Sequence, residues 1–189
     1  MRKQLKIRLL LIVLALLIAS IGVTFAFMLR RARVKNTFET AKVTCAVSEK
    51  LDGAEVDGSS AIGTEKSDIR VQNTGNINAY LRLRLTSYYA DAQGNVSGAV
   101  LSALPQLTLN DGWLAGSDNT FYYTMAVQPG DFTPALCEPF SLQTAVLRDG
   151  QTVYQVVDVY AEAIQAEPDD AVLQAWGATA KDGVLTSVQ

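Results

Sequence analysis

Histidine is absent from all 189 residues. That absence removes the usual general base and the commonest metal ligand, so Ser-His-Asp, Cys-His and HExxH chemistry are excluded. Cysteine occurs twice and proline five times, with no CxxC pair, Gly-rich phosphate loop or nucleophile elbow among them. The acids are scattered through turns instead of facing one another at fixed spacing. Basic residues are scarce where a nucleic acid would need them. Eight Lys and Arg precede Asn36, which leaves eight against all 19 Asp and Glu from there on, a net of −11. This balance argues against a phosphate-backbone partner. No cofactor, catalytic residue or metal ligand is nominated.

What the chain does have begins with residues 9–29, an uncharged run of 21 residues behind Arg2, Lys3, Lys6 and Arg8, long enough to cross a bilayer core as a helix. Two readings fit. As a secretory signal, residues 1–26 present Thr24 and Ala26 at the small-residue positions a signal peptidase reads, and cleavage leaves Phe27 first. As an uncleaved anchor, the segment extends to about residue 29 and is followed by Arg30, Arg31, Arg33 and Lys35, charges that oppose translocation. Residues 27–40 form a basic and polar arm, and residues 41–189 suit one globular domain. Cys45 and Cys137 are an even pair, which reads as one disulfide in an exported chain and as two buried thiols in a cytosolic one.

From Ala41 the pattern has period two. Val43, Cys45 and Val47 point one way, and Ile69 and Val71 open a second such segment; both predict half-buried strands. Leu81, Leu83 and Leu85 alternate with Tyr80, Arg82, Arg84 and Thr86, predicting a strand whose two arginines lie on the solvated side, with an anion clamp as the sharper alternative. Further strands are expected at 106–110, 120–127, 141–148 and 152–165, a surface loop at 51–65, and turns at 91–95, 128–131 and Asp149-Gly150. One short helix is expected over 168–176, stopped by Gly177. Phe121, Tyr122, Tyr123, Trp113 and Trp176 read as sheet packing before they read as a binding platform. The fold class is all-β, an antiparallel sandwich or jelly roll behind an N-terminal hydrophobic helix.

Four stretches, NTFETAKVTCAVSE (36–49), KSDIRVQNTGNINAYLRLRL (66–85), GSDNTFYYTMAVQPGD (116–131) and AIQAEPDDAVLQAW (163–176), together resemble the TasA/camelysin family of Gram-positive exported proteins. Its leaders are processed by the SipW type of signal peptidase. The most specific matches are Asn73, Thr74, Gly75, Ala79, Tyr80 and Arg82, and then Gln165, Ala166, Glu167 and Pro168. The resemblance implies a jelly-roll-like β-sandwich at the cell surface or in the biofilm matrix, whose subunits polymerise into fibres by donating an N-terminal strand. Camelysin relatives have been labelled metalloproteases, yet a chain without histidine lacks the usual zinc ligands.

The expectation is therefore a non-enzymatic surface or matrix subunit that associates with itself or with a related subunit. Its rivals are a monomeric, membrane-anchored binding domain and, more remotely, a secreted hydrolase working with carboxylates alone.

Overall fold

The computed structural model describes residues 40–56, 62–98 and 102–188. The leader, with Thr24, Ala26 and Phe27, and the arm up to residue 39 lie outside the described residues. Contacts divide the chain into Met1–Thr40 and Ala41–Gln189, and the strands and helix described below all belong to the second unit.

Period-two segments produce strands in chain order β1 (Cys45–Leu51), β2 (Ala54–Val56), β3 (Glu65–Asn73), β4 (Ala79–Ala90), β5 (Val96–Ser97), β6 (Trp113–Ala115), β7 (Thr120–Tyr123), β8 (Phe140–Ser141), β9 (Thr144–Val146) and β10 (Thr152–Gln165). Helix α1 (Asp170–Trp176) and the hairpin of β11 (Thr179–Lys181) and β12 (Val184–Ser187) complete the order. One sheet has the order β2-β1-β3-β8. A larger one has the order β6-β7-β4-β10-β9, with β5 on β4. All pairings are antiparallel. The mostly β class and the single short helix near the C-terminus match the expectation.

Alternation decides what is buried. Ile69 and Val71 of β3, Leu81, Leu83 and Leu85 of β4 and Val157 of β10 belong to one apolar cluster shared by both sheets, and burying each such side chain contributes roughly 1.5–3 kcal/mol. Val43, Cys45 and Val47 pack against that cluster, on the inner face as their spacing requires. A second cluster lies on the opposite face of the larger sheet, where Tyr80 and Tyr122 meet Val172 of α1 and Leu185 of β12. The start of β4 is therefore covered on both sides. Helix α1 ends as the sequence directs, with Gly177 at φ 66° and its N–H donating to the Leu173 carbonyl.

Several expectations need correction. The segment 51–65 includes a hairpin, β1 to β2, turned by Asp52 and Gly53 at φ 50° and 80°, a type of turn Asp-Gly favours. Expected strand 106–110 reduces to one bridge, Leu109 opposite Cys137. Expected strand 120–127 stops at Tyr123, because Met125 bridges to Val184 and Val127 to Ala79. Expected strand 141–148 breaks in two because the chain changes sheets there. β8 pairs with β3 and β9 with β10, and the N–H of Leu142 donates to the Thr64 carbonyl between them.

The polar elbow at residues 73–76 also changes sheets, carrying the chain from β3 to β4. Asn73 is fully buried; its Nδ2 donates to the carbonyls of Ile77 and Val127, both at 2.8 Å, and its Oδ1 accepts from the Gly75 N–H at 2.9 Å. The elbow also pins the chain leading into β1. The Asn76 N–H donates to the Lys42 carbonyl and the Thr74 N–H to that of Thr44, while the Lys42 N–H donates to Asn76 Oδ1 at 2.7 Å. Gly75 is required by this close approach, since a Cβ there would run into the Lys42 carbonyl oxygen. Gly75→Ala is accordingly expected to lower the unfolding free energy by about 1–3 kcal/mol. Asn73→Ala, which removes a donor from the Ile77 and Val127 carbonyls and the acceptor of the Gly75 N–H, should cost a similar ~1–3 kcal/mol. Urea titration followed by circular dichroism measures both.

Candidate functional site

The two most specific motif stretches meet in the structure. In the β4–β10 ladder Ala79 stands opposite Gln165, Tyr80 opposite Ile164 and Arg82 opposite Glu162, and the Ala166 N–H continues the pairing onto the Asn78 carbonyl. Glu167 and Pro168, joined by a cis peptide, lead the chain into α1. Arg82 is not simply on the wet side. Its Nη2 donates to Glu162 Oε2 at 2.7 Å, and its guanidinium lies 4.6 Å from the Trp176 ring centroid and 5.7 Å from that of Tyr122. The two rings meet edge to face at 5.9 Å. Cation–π contacts of this kind contribute about 0.5–2 kcal/mol each. Arg82 thus fastens α1 to the sheet, whereas Arg84 is exposed as expected. Asn73, Gly75 and Arg82 of the motif hold structure together.

Backbone groups form the more unusual surface. Along β10, the Gln155 N–H donates to the Gln143 carbonyl and the Val157 carbonyl accepts from Lys66 Nζ, so odd-numbered residues turn their N–H and C=O groups away from β4. β9 covers that edge only at Thr152–Tyr154. Beyond it, the edge groups of Val159, Ala161, Ala163 and Gln165 meet no strand among the described residues. Just before β1, the Thr44 carbonyl accepts from the Thr74 N–H of the elbow, so Val43, Cys45 and Val47 turn their backbone groups outward too, with β2 reaching only Glu49–Leu51. The two open edges face each other. β1 stands beside β10, within 8 Å between Cα atoms and without a ladder, and the Lys66 ammonium touches both Glu49 and the Val157 carbonyl.

An ion pair closes one end of this seam. Lys66 Nζ stands 3.1 Å from Glu49 Oε1, with both side chains less than 10% exposed, at 7% and 8%. The same ammonium donates to Val157 on β10. Glu49 Oε2 is buried without a partner. Burial raises the Glu49 carboxyl above its ordinary value, Lys66 opposes that shift, and Asp158 adds to it. The sequence carried half of this signal, because Glu49 continues the inward parity of Val43, Cys45 and Val47. Lys66 was hidden by the irregularity between Ser48 and Lys50, where β3 accommodates Asp68 at φ 54° and the parity of the strand changes.

The cysteines do not form the expected disulfide; both are free thiols. Cys45 faces Asn73 across the β1–β3 ladder and Cys137 faces Leu109, so different strand pairs hold them, and both pack in the shared core as small apolar residues. Burial, reinforced by Glu162, raises the Cys45 thiol, and burial, reinforced by Glu138, raises Cys137 to about 11. Among the described residues no group of three or more His, Cys, Asp or Glu side chains is placed to hold a metal, and no helix is long and apolar enough to cross a membrane.

A polar groove of about 550 Å³ opens beside Arg84, Asp118 and Asn119. At its Ser87 and Ser102 wall the two hydroxyls lie 2.6 Å apart and both accept from the buried Gln155 amide, a partner that cannot act as a base. Comparison with protein-family models, with curated proteins and with solved structures finds no match.

Lys66→Met leaves Glu49 as an unpaired buried charge and is expected to cost about 3–5 kcal/mol. Glu49→Leu combined with Lys66→Met should match or exceed wild-type stability. Because the folded-state value of Glu49 is raised, its ionisation opposes folding. The stability of the wild type relative to that double variant should therefore grow as pH falls from neutrality through the raised value to the ordinary 4.5, as read by thermal melts. With a value of about 11, Cys137 carries about one part in a thousand thiolate at pH 8. Iodoacetamide should spare both cysteines in the native protein and label both in guanidinium, as counted by mass spectrometry.

Proposed function

We propose that the protein is a non-enzymatic, exported surface or matrix subunit, built as a jelly-roll-like β-sandwich, that assembles with its own kind by strand addition. The observation that carries this reading is the length of β10 whose outward backbone groups meet no strand among the described residues, facing a stretch of β1 that likewise meets none there on its outward side. Native sheets normally pair, cover or charge such edges, and an unpaired edge is a template for a segment from another chain. A strand paired on both sides needs about 9–10 Å between its neighbours. β1 must therefore shift outward where it stands within 8 Å of β10, and the Lys66–Glu49 pair marks where the opening ends.

The donated segment is the arm, residues 27–40. Processing by a SipW-type signal peptidase after Ala26 would free it. Donation from each subunit to the next is heterologous and does not close, so it produces fibres instead of a small oligomer. The family resemblance points the same way.

The second reading, a monomeric membrane-anchored binding domain, draws on the polar groove beside Arg84 and on the cations that follow the hydrophobic run. The first residue of the surface-extracted protein separates the two: Phe27 supports donation, and an intact leader supports the anchored monomer. Deleting residues 27–40 from the processed protein should abolish fibres in electron micrographs while leaving the circular dichroism spectrum and melting temperature nearly unchanged. Fibres that persist after the deletion rule out the arm as donor.

A further inference from the structure

The open edge of β10 has two rows of side chains with opposite character. On the core side stand Val159, Ala161 and Ala163, which pack against the shared apolar cluster. The outer row is Asp158, Tyr160 and Glu162, with Tyr160 56% exposed. Arg82 reaches Oε2 of Glu162 from β4, so Glu162 belongs to both the β4–β10 ladder and the outer row. The acceptor edge therefore reads, from outside, as acid, aromatic, acid at every second residue, above a floor of small apolar groups.

The arm contains the complementary pattern. Arg31, Arg33 and Lys35 alternate with Ala32 and Val34, so an extended backbone would place three cations on one face and two small apolar side chains on the other. The segment is also the basic part of a chain whose remainder from Asn36 carries −11. Resting on the strand-addition reading, we propose that residues 31–35 of a second copy pair with the open edge of β10 in a register fixed by charge. Arg33 lies beside Tyr160, the flanking Arg31 and Lys35 lie beside Asp158 and Glu162, and Ala32 and Val34 turn inward against Val159, Ala161 and Ala163.

Cross-strand neighbours of opposite charge stabilise a ladder and like charges oppose it, while an arginine beside an aromatic ring adds a cation–π contact. A slip of one residue would turn all three cations into the apolar floor, so this pattern admits one face and rejects the other. The cations that slow passage of the leader through a membrane acquire in this way a role after export.

The test uses the processed protein beginning at Phe27, followed by light scattering and electron microscopy. Arg31→Glu/Arg33→Glu/Lys35→Glu should raise the concentration needed for fibres by more than about tenfold. Wild-type assembly should weaken between low salt and ~1 M NaCl. Adding Asp158→Lys/Glu162→Lys protein as acceptor should restore growth with the charge-reversed arm. Asp158→Asn/Glu162→Gln, a milder acceptor change, should weaken wild-type assembly without altering the fold.

If the charge-reversed arm assembles as well as wild type while deletion of 27–40 abolishes fibres, strand donation stands and the charge reading is overturned. If the deletion also forms fibres, the donation reading itself fails. A folded acceptor swap that gives no rescue overturns the assignment to β10. A monomer whose own arm is protected from protease overturns the second copy as donor.

Discussion

Every strand carries two rows of backbone hydrogen-bonding groups, and a stable sheet must find partners for both. β10 is 14 residues long and satisfies one row along twelve of them through β4, from Tyr154 to Gln165. Its other row finds β9 at one end and then no further strand among the described residues. The distinctive features of the molecule gather around this half-satisfied strand. β1 runs beside it without joining it, Lys66 reaches across to one of its carbonyls, and Ala161 and Ala163 on the same strand offer the shared core only small side chains.

The motif residues frame the two sheets, to the larger of which β10 belongs. Asn73 and Gly75 bring the chain from one sheet to the other in a bend too tight for any side chain at Gly75, and the same bend holds the approach to β1 through Lys42 and Thr44. Across the ladder, Arg82 binds Glu162 and lies against Trp176, so the C-terminal helix is tied to the middle of the sheet. The sequence pattern is thereby accounted for as a frame. Within that frame, the β10 edge beyond β9 meets no strand among the described residues.

Much of this was legible in the sequence because period two is a local property. β4 and β10 were visible from Leu81, Leu83 and Leu85 and from the run 152–165, and α1 from Pro168 and Gly177. What escaped depends on tertiary partners. The segment around Leu142 has strand composition but divides its pairing between two sheets, a choice no periodicity records. Arg82 looked solvated because the ring covering it, Trp176, lies 94 residues further along the chain. The Lys66–Glu49 pair escaped because Asp68 takes a left-handed conformation and shifts the parity of β3. The β11–β12 hairpin was readable at Asp182-Gly183, whose φ values are 53° and 77°, and went unread beside the stronger helix signal. For the cysteines, the inference from compartment to bridge failed because each thiol is held by a different strand pair.

The β4–β10 ladder also bears on how such a molecule would withstand tension. Its hydrogen bonds run across the strands, so a pull directed along β10 loads all the rungs in parallel, as shear, instead of opening them one after another like a zip. A segment seated beside β10 and tugged along the same axis would meet that collective resistance. Its grip would then be a property of the whole row, stiff against axial strain and weak against peeling from one end.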